Sequence, residues 1–204
     1  MMTRKIALVL SSFLVTAVPV VVADDCQTIY DVVCESDGLQ NFCGLIGATD
    51  TDDLFDGEEN LTVFAPINEA VTKMDFLQYI HDDELREVVL FSAHVGALPR
   101  DELECVAGQN RLRMMSGKDS RTICEDKIPV FQKGGGNSDE NKPIIVKSDI
   151  QACNGVVHMV DTVMLPGGFD ENEIDEDETK TSRGALAQRS SWFAFAALVM
   201  LMYL

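Results

Sequence analysis

The sequence predicts an α+β domain in which strands alternate with several short helices, and three stretches carry that expectation. Asn154 to Pro166, NGVVHMVDTVMLP, opens on the turn pair Asn154-Gly155 and stops at Pro166 before Gly167-Gly168. Val156, Val157, Val160 and Val163 supply β-branched side chains, and His158, Asp161 and Thr162 interrupt a run apolar enough to be covered on both faces. It reads as a central strand with a polar fixture inside. Leu61 to Val71, LTVFAPINEAV, reads as a short strand ending at Ala65-Pro66, with Asn68 placed to cap a following helical turn. Asp82 to Ser92 sets Leu85, Val88, Val89 and Ser92 on one face and Glu84, Arg86 and Glu87 on the other, an amphipathic helix capped by Asp82 or Asp83 that delivers His94 into Val95.

Taken in order, the chain begins with the basic residues Arg4 and Lys5, an apolar run from Ile6 through Val22 and the small residue Ala23. This is the pattern of a secretory signal peptide over residues 1–23. Six cysteines, Cys26, Cys34, Cys43, Cys105, Cys124 and Cys153, all follow it, and an even number in an exported chain reads as a disulfide framework. No C-x-x-C spacing occurs, so zinc-ribbon and thioredoxin chemistry lack their pattern and no metal site is expected. The segment between Cys105 and Cys124 reads as strands turned at Gly108-Gln109-Asn110 and near Gly117, which favours that pair; the other pairings stay open.

From Thr28 to Ile46, apolar residues recur at helical spacing, broken by Ser36-Asp37-Gly38 into two short helices. Asp50 to Asn60 is acidic and turn-rich, but Phe55 stands where a calcium loop counted from Asp50 needs glycine, so it reads as a solvated loop. Asn60-Leu61-Thr62 is a glycosylation sequon at the edge of the first motif strand. After Pro99 come strand-like pieces at Glu102 to Val106, Arg111 to Met115, Arg121 to Cys124, Ile128 to Gln132 and Pro143 to Asp149. Gly134 to Asp139 reads as a flexible connection, since no Gly-Lys-Ser/Thr follows it into a phosphate-binding helix.

Thr62-Val63-Phe64-Ala65-Pro66-Ile67-Asn68-Glu69-Ala70 and Asn154-Gly155-Val156-Val157-His158-Met159-Val160-Asp161 resemble the two end motifs of the fasciclin domain family. Leu90 to Leu103 resembles its middle segment, where a helix runs into a histidine-bearing strand. The resemblance covers residues 27–166 and implies a single fasciclin-like domain, a β-sheet wedge or sandwich with several short helices packed on it. It makes Thr62, Phe64, Ala65, Pro66, Asn68, Asn154, Gly155, His158 and Asp161 the structural motif. It implies binding through Asp149-Ile150, which resembles the Asp-Ile pair associated with integrin recognition in animal members, and through His94, although Ala93 stands where that family's Tyr-His pair has tyrosine. On the resemblance alone, Asp149→Ala would weaken binding with little effect on stability.

Beyond Pro166, Asp170 to Glu178 holds seven carboxylates and one aliphatic residue, Ile174. Such a density of like charge buries nothing, so residues 167–183 are expected to form an acidic disordered linker. Residues 184–204 end in the uncharged tail Trp192 to Leu204, too short for a span of about 20 residues. Small residues, a polar spacer and an apolar tail make a GPI-attachment signal with lipidation at Ser182 or Gly184; a retained tail anchor is the other reading.

With 34 acidic against 16 basic residues, the composition argues against nucleic acid, whose phosphates need a basic footprint. No G-x-S-x-G or H-E-x-x-H occurs, and His94, His158 and Asp161 with Ser92 or Ser148 lack the spacing of a nucleophile and its base, so no enzyme activity and no cofactor are expected. The chain is therefore expected to be an extracellular, membrane-anchored adhesion module that meets matrix or cell-wall components or other cell-surface proteins. The alternative is an acidic extracellular scaffold that collects cations or mineral on residues 170–178.

Overall fold

The computed structural model describes residues 26–57 and 59–169. The expected signal peptide, lipidation residues Ser182 and Gly184, and C-terminal tail lie outside the described residues, as does the acidic linker beyond Phe169; its expected first residues, 167–169, are not loose, since Phe169 packs against the core and Gly167 O accepts from Lys118. Among those described, helices α1 (Ile29–Glu35), α2 (Gln40–Ala48) and α3 (Asp52–Asp56) lead into strand β1 (Leu61–Pro66), then α4 (Asn68–Lys73) and α5 (Asp82–Phe91). Strands β2 (Ala93–Val95), β3 (Arg111–Arg113), β4 (Asp119–Glu125), β5 (Ile128–Lys133), β6 (Ile145–Ala152) and β7 (Gly155–Val160) follow. They form a four-stranded sheet, order β2-β1-β7-β6, and a three-stranded sheet, order β3-β4-β5.

The two motif strands are neighbours. β1 and β7 run parallel in register from Leu61 opposite Gly155 to Pro66 opposite Val160, while β2 and β6 flank them antiparallel. Because side chains alternate along a strand, Leu61, Val63, Ala65 and Val157 face one side, where they join Ile29, Phe42 and Phe55 from the helices. Phe64 and Val160 face the other, with Phe91, Leu103, Met114 and Met164. All six residues of β1 are buried, which accounts for a run that is apolar except at Thr62. Pairing of His94 with Met114 and of Phe131 with Ile144 closes the two sheets into a wedge around that second core.

Two close approaches fix the central pair. Gly155 has φ +144°, and a Cβ there would lie 1.9 Å from the Leu61 carbonyl oxygen, so only glycine lets β7 start against β1. Next to it, buried Asn154 accepts from Ile29 N at 2.7 Å and donates to the Phe55 and Gly57 carbonyls at 2.8 and 2.7 Å. One amide thereby satisfies the first turn of α1 and the last turn of α3.

Several expectations need correction. Residues 50–60 are no solvated loop: α3 forms there because Phe55, fully buried, packs edge-on against Phe42 with ring centroids 6.2 Å apart. Asn68 does not cap α4; its Oδ1 accepts from Asn41 N at 2.9 Å and so caps α2, which has no side-chain cap of its own. At α5 the boundary residue is His81, whose N–H donates to Glu84 at 3.1 Å, while Asp82 and Asp83 occupy the first turn. Residues 102–106 form no strand, only the end of a 3-10 turn at Arg100–Glu102. The strand expected over residues 154–166 ends at Val160, and Val163 to Leu165 are buried outside it.

Gly134 to Asp139 is not a loose connection either. Gly134 and Gly136 sit so close to Leu165 and Pro166 that any Cβ would collide, and buried Asn137 donates to Val163 O at 2.8 Å and accepts from Leu165 N at 3.0 Å. Three disulfides complete the frame: Cys26–Cys153, Cys34–Cys43 and Cys105–Cys124. The first joins residues 127 positions apart and holds the N-terminal segment to the β6–β7 turn. Closing so long a loop restricts the unfolded chain most, a stabilisation of roughly 4–5 kcal/mol in the chain-entropy account.

Gly155→Ala should lower stability by roughly 2–4 kcal/mol, combining left-handed strain with the clash against Leu61. Gly108→Ala, at φ +92° with open space around it, should cost only the strain, about 1 kcal/mol. Denaturant unfolding of the two variants measures the difference.

Candidate functional site

Parallel pairing places His158 of β7 opposite Phe64 of β1, with the rings 5.3 Å apart and tilted by 32°. The imidazole is fully buried. Asp149 N–H lies 3.2 Å from Nδ1, and because a backbone amide only donates, Nδ1 is the unprotonated nitrogen. Nε2 therefore carries the proton and donates to Leu98 O at 3.0 Å. Burial pushes the His158 pKa below its ordinary value of 6.5, against the opposing pull of the Leu98 hydrogen bond and the Asp149 charge, so the ring is neutral.

Leu98 is gripped from both motif strands. Its N–H donates to Thr62 Oγ1 at 2.8 Å, and Thr62 in turn donates to Gly96 O at 2.6 Å. Thr62 and His158 together hold the loop from Gly96 to Arg100, the middle segment of the sequence pattern. That loop carries the next link: Arg100 N donates to Asp149 Oδ1 at 2.7 Å, and the Arg100 guanidinium donates through Nε and Nη2 to Pro129 O at 2.8 and 2.6 Å, crossing to the smaller sheet.

Asp149 is held in the left-handed region, φ +61°, where β6 slips register against β7 between Lys147 and Ile150. This irregularity turns its carboxylate outward. Burial opposes its charge, but hydrogen bonds from Arg100 N and the Ser148 hydroxyl, with the nearby Arg100 charge, outweigh burial and hold its pKa below the usual carboxylate value. A carboxylate has about four lone-pair sites, so two internal bonds leave acceptor capacity for a partner. Asp149 stands at the rim of a groove of about 940 Å³ lined by Arg100, Leu103, Val106, Lys127, Ile128 and Pro129, in which Val106 and Ile128 are each 56% exposed.

The other predicted residues fall elsewhere. Ile150 is half-buried against the helical core. His94 lies on β2, the opposite edge of the four-stranded sheet from β6, where its Nδ1 donates to Arg113 O at 2.8 Å and ties the two sheets. Three strand spacings of about 4.8 Å separate the two edges, so His94 and Asp149 do not share one contact point. Asp161 closes the far corner, accepting from Ile144 N at 2.8 Å and donating its own N–H to Ile144 O at 3.1 Å. Exposed Asn60 sits just before β1. Ser92 Oγ donates to Val88 O and Ser148 Oγ to Asp149, while backbone groups occupy both nitrogens of His158, so neither serine meets that ring. Among the described residues no group of three or more His, Cys, Asp and Glu side chains is clustered to hold a metal, and no helix is long and apolar enough to cross a membrane.

Two elements of the site escape sequence reasoning. Arg100 gives no motif signal, since its role depends on where Pro129 arrives in space. The buried chain Thr122 to Gln132 at 2.8 Å, Gln132 to Ser120 at 2.6 Å and Ser120 to Met114 Sδ at 3.0 Å organises the inner face of the small sheet. Polar residues alternating within β4 were its only trace.

His158→Ala should lose about 1–3 kcal/mol through the unpaired Leu98 carbonyl and Asp149 amide. Because the folded pKa lies below the unfolded value of 6.5, the unfolded chain takes up a proton that the native ring refuses. The stability that His158 contributes is thus present above about pH 6.5 and is lost as pH falls toward the depressed folded value. Denaturant unfolding between about pH 8 and pH 5 should show a steeper loss for the parent than for His158→Gln.

The sequence pattern of the Fasciclin domain matches residues 37–166. Protein sll1483 of Synechocystis sp. (strain ATCC 27184 / PCC 6803 / Kazusa) is 24% identical over 149 residues, 70% of this chain and 76% of its own length. Human periostin is 26% identical over 141 residues, which span 68% of this chain but only 16% of periostin. The solved domain pair from the insect cell adhesion molecule fasciclin I aligns with a TM-score of 0.48 at 20% identity, over 62% of this chain and 45% of that one. With the family pattern spanning both motif strands and the loop they grip, the chain belongs to the fasciclin domain family.

Proposed function

We propose that the protein is an extracellular, non-enzymatic adhesion module that meets matrix or cell-wall components or other cell-surface proteins through the Asp149 rim. Fasciclin domains occur generally in cell adhesion proteins, which are typically extracellular or at the cell surface. The observation that carries the reading is Asp149 itself: an exposed, ionised carboxylate fixed at φ +61° beside an apolar groove. Its geometry is set by the same hydrogen bonds that bury His158, so the rim is preorganised and a partner need not order it. Ile150 acts from beneath, by packing, and His94 marks a separate edge. The signal peptide, glycosylation at Asn60 and lipid attachment at Ser182 or Gly184 complete the proposal of a protein displayed on the outer surface of its cell.

Asp149→Ala does not separate binding from folding, because alanine at this φ is strained and removes the acceptor of Arg100 N. Asp149→Asn keeps an acceptor oxygen and tolerates the left-handed backbone. It should weaken attachment of the producing cells to the immobilised protein by roughly tenfold, the size of losing one charge-assisted hydrogen bond, with little change in unfolding midpoint. Undiminished attachment would remove Asp149 from the contact surface. A phosphatidylinositol-specific phospholipase should release the protein from intact cells, and its retention beside a released GPI-anchored control would establish the tail anchor instead.

A further inference from the structure

The outer face of the β3-β4-β5 sheet carries a charge arrangement that the fold does not require. Arg111 pairs across the ladder with Arg121, and Arg121 with Lys133, so three cations stand in one row on one face. Like charges directly opposite each other destabilise a sheet. Only part of the row is neutralised within the described residues: Lys133 meets Asp139 at 2.5 Å, and the nearby Asp119 is engaged by Arg113 at 3.2 Å. Among the described residues, Arg111 and Arg121 make no side-chain hydrogen bond or ion pair. In a chain of net charge −18, two guanidinium groups without an ion-pair contact among the described residues stand next to each other, the nearest acid acting on Arg121 being Asp139, which Lys133 already engages.

The row is also concave. Arg111, Arg121 and Lys133, with Ser120 and the backbone of Gly134 and Gly135, line a pocket of about 270 Å³, whose one carboxylate, Asp119, is held by Arg113. Its glycine wall is rigid, because a Cβ on Gly134 would lie 2.0 Å from Leu165 O. Two residues further along β4 and on the same face, Ile123 lies opposite Phe131, whose ring is crossed by Lys142 Nζ at 4.9 Å. Planar guanidinium groups pair two-pronged with carboxylate and sulfate oxygens. A flat aromatic and aliphatic surface beside them suits the apolar face of a sugar ring. Cations a strand spacing of about 4.8 Å apart fit charges carried on successive units of a polymer.

We propose that Arg111, Arg121 and Lys133 form a binding site for the carboxylate or sulfate groups of an acidic polysaccharide, with Phe131 as the platform for the adjoining sugar. The site lies on the smaller sheet and is built from residues other than those of the Asp149 rim. It rests on the extracellular reading above only for where such a polymer is met.

The test uses the full chain with immobilised heparin, polygalacturonate and neutral dextran. Retention on one or both of the charged polymers but not on dextran, weakening as salt rises, is expected. Arg111→Gln with Arg121→Gln should lower affinity at least about tenfold through loss of both charge-assisted contacts. The same variant should unfold at the parent's midpoint or above it, since a like-charge contact is relieved. Binding unaffected by the double substitution, or equal on dextran, overturns the proposal. Retention that emerges only after the carboxylates of residues 170–178 are changed to amides overturns it too, and assigns the row to the chain's own acidic run. Asp149→Asn should leave polysaccharide binding intact, so failure here and failure of the adhesion reading are separately visible.

Discussion

The parallel pairing of β1 with β7 is the constraint on which the rest depends. It joins Leu61 to Gly155 and Pro66 to Val160, so nearly everything between them in sequence is a closed excursion that must return to the same place. A parallel pair cannot be made by a tight turn. The excursion is long enough to hold α4, α5, β2 and the whole smaller sheet, and both faces of the pair are consequently covered. Glycine at position 155 permits the approach, and Asn154 spends its side chain on the helices. The Cys26–Cys153 bridge fastens the N-terminal segment to the same corner.

That pairing also explains why a histidine is buried at the centre of an apolar strand. Thr62 on β1 and His158 on β7 sit on the same face, and each uses its polar atom on Leu98, one on the N–H and the other on the C=O. A loop peptide that would otherwise be buried with unmet groups is satisfied from two strands at once. The second nitrogen of His158 then takes Asp149 N–H, and through it the position of an exposed carboxylate is fixed from within the core. The position of this carboxylate and the packing of the core therefore rest on one hydrogen-bond network.

The electrostatics divide by location. The chain as a whole is strongly acidic, yet its smaller sheet gathers Arg111, Arg113, Arg121 and Lys133 on one face. Net charge describes the field at a distance, whereas recognition at contact depends on which side chains the ladder places side by side. The acidic total says nothing against a local anion site.

The sequence by itself determined the motif strands, the break at Ser36-Asp37-Gly38, the amphipathic α5 and the family, because each rests on local turn chemistry or on periodicity within a few residues. It also placed His158 as a hydrogen-bonded core group, since a polar side chain inside a covered strand must find partners. Only the tertiary structure decided which partners these were: Leu98 and Asp149 lie 60 and 9 positions away, and nothing local marks them. Asn68 was misread for the same reason. Its side chain suits a cap, but the exposed N–H nearest to it belongs to α2, 27 positions back. Phe55 and Asn137 show the converse, segments that look solvated from composition yet are drawn inside by Phe42 and by Val163 and Leu165. Burial is a property of where the chain returns, and a residue's own neighbours in sequence do not carry that information.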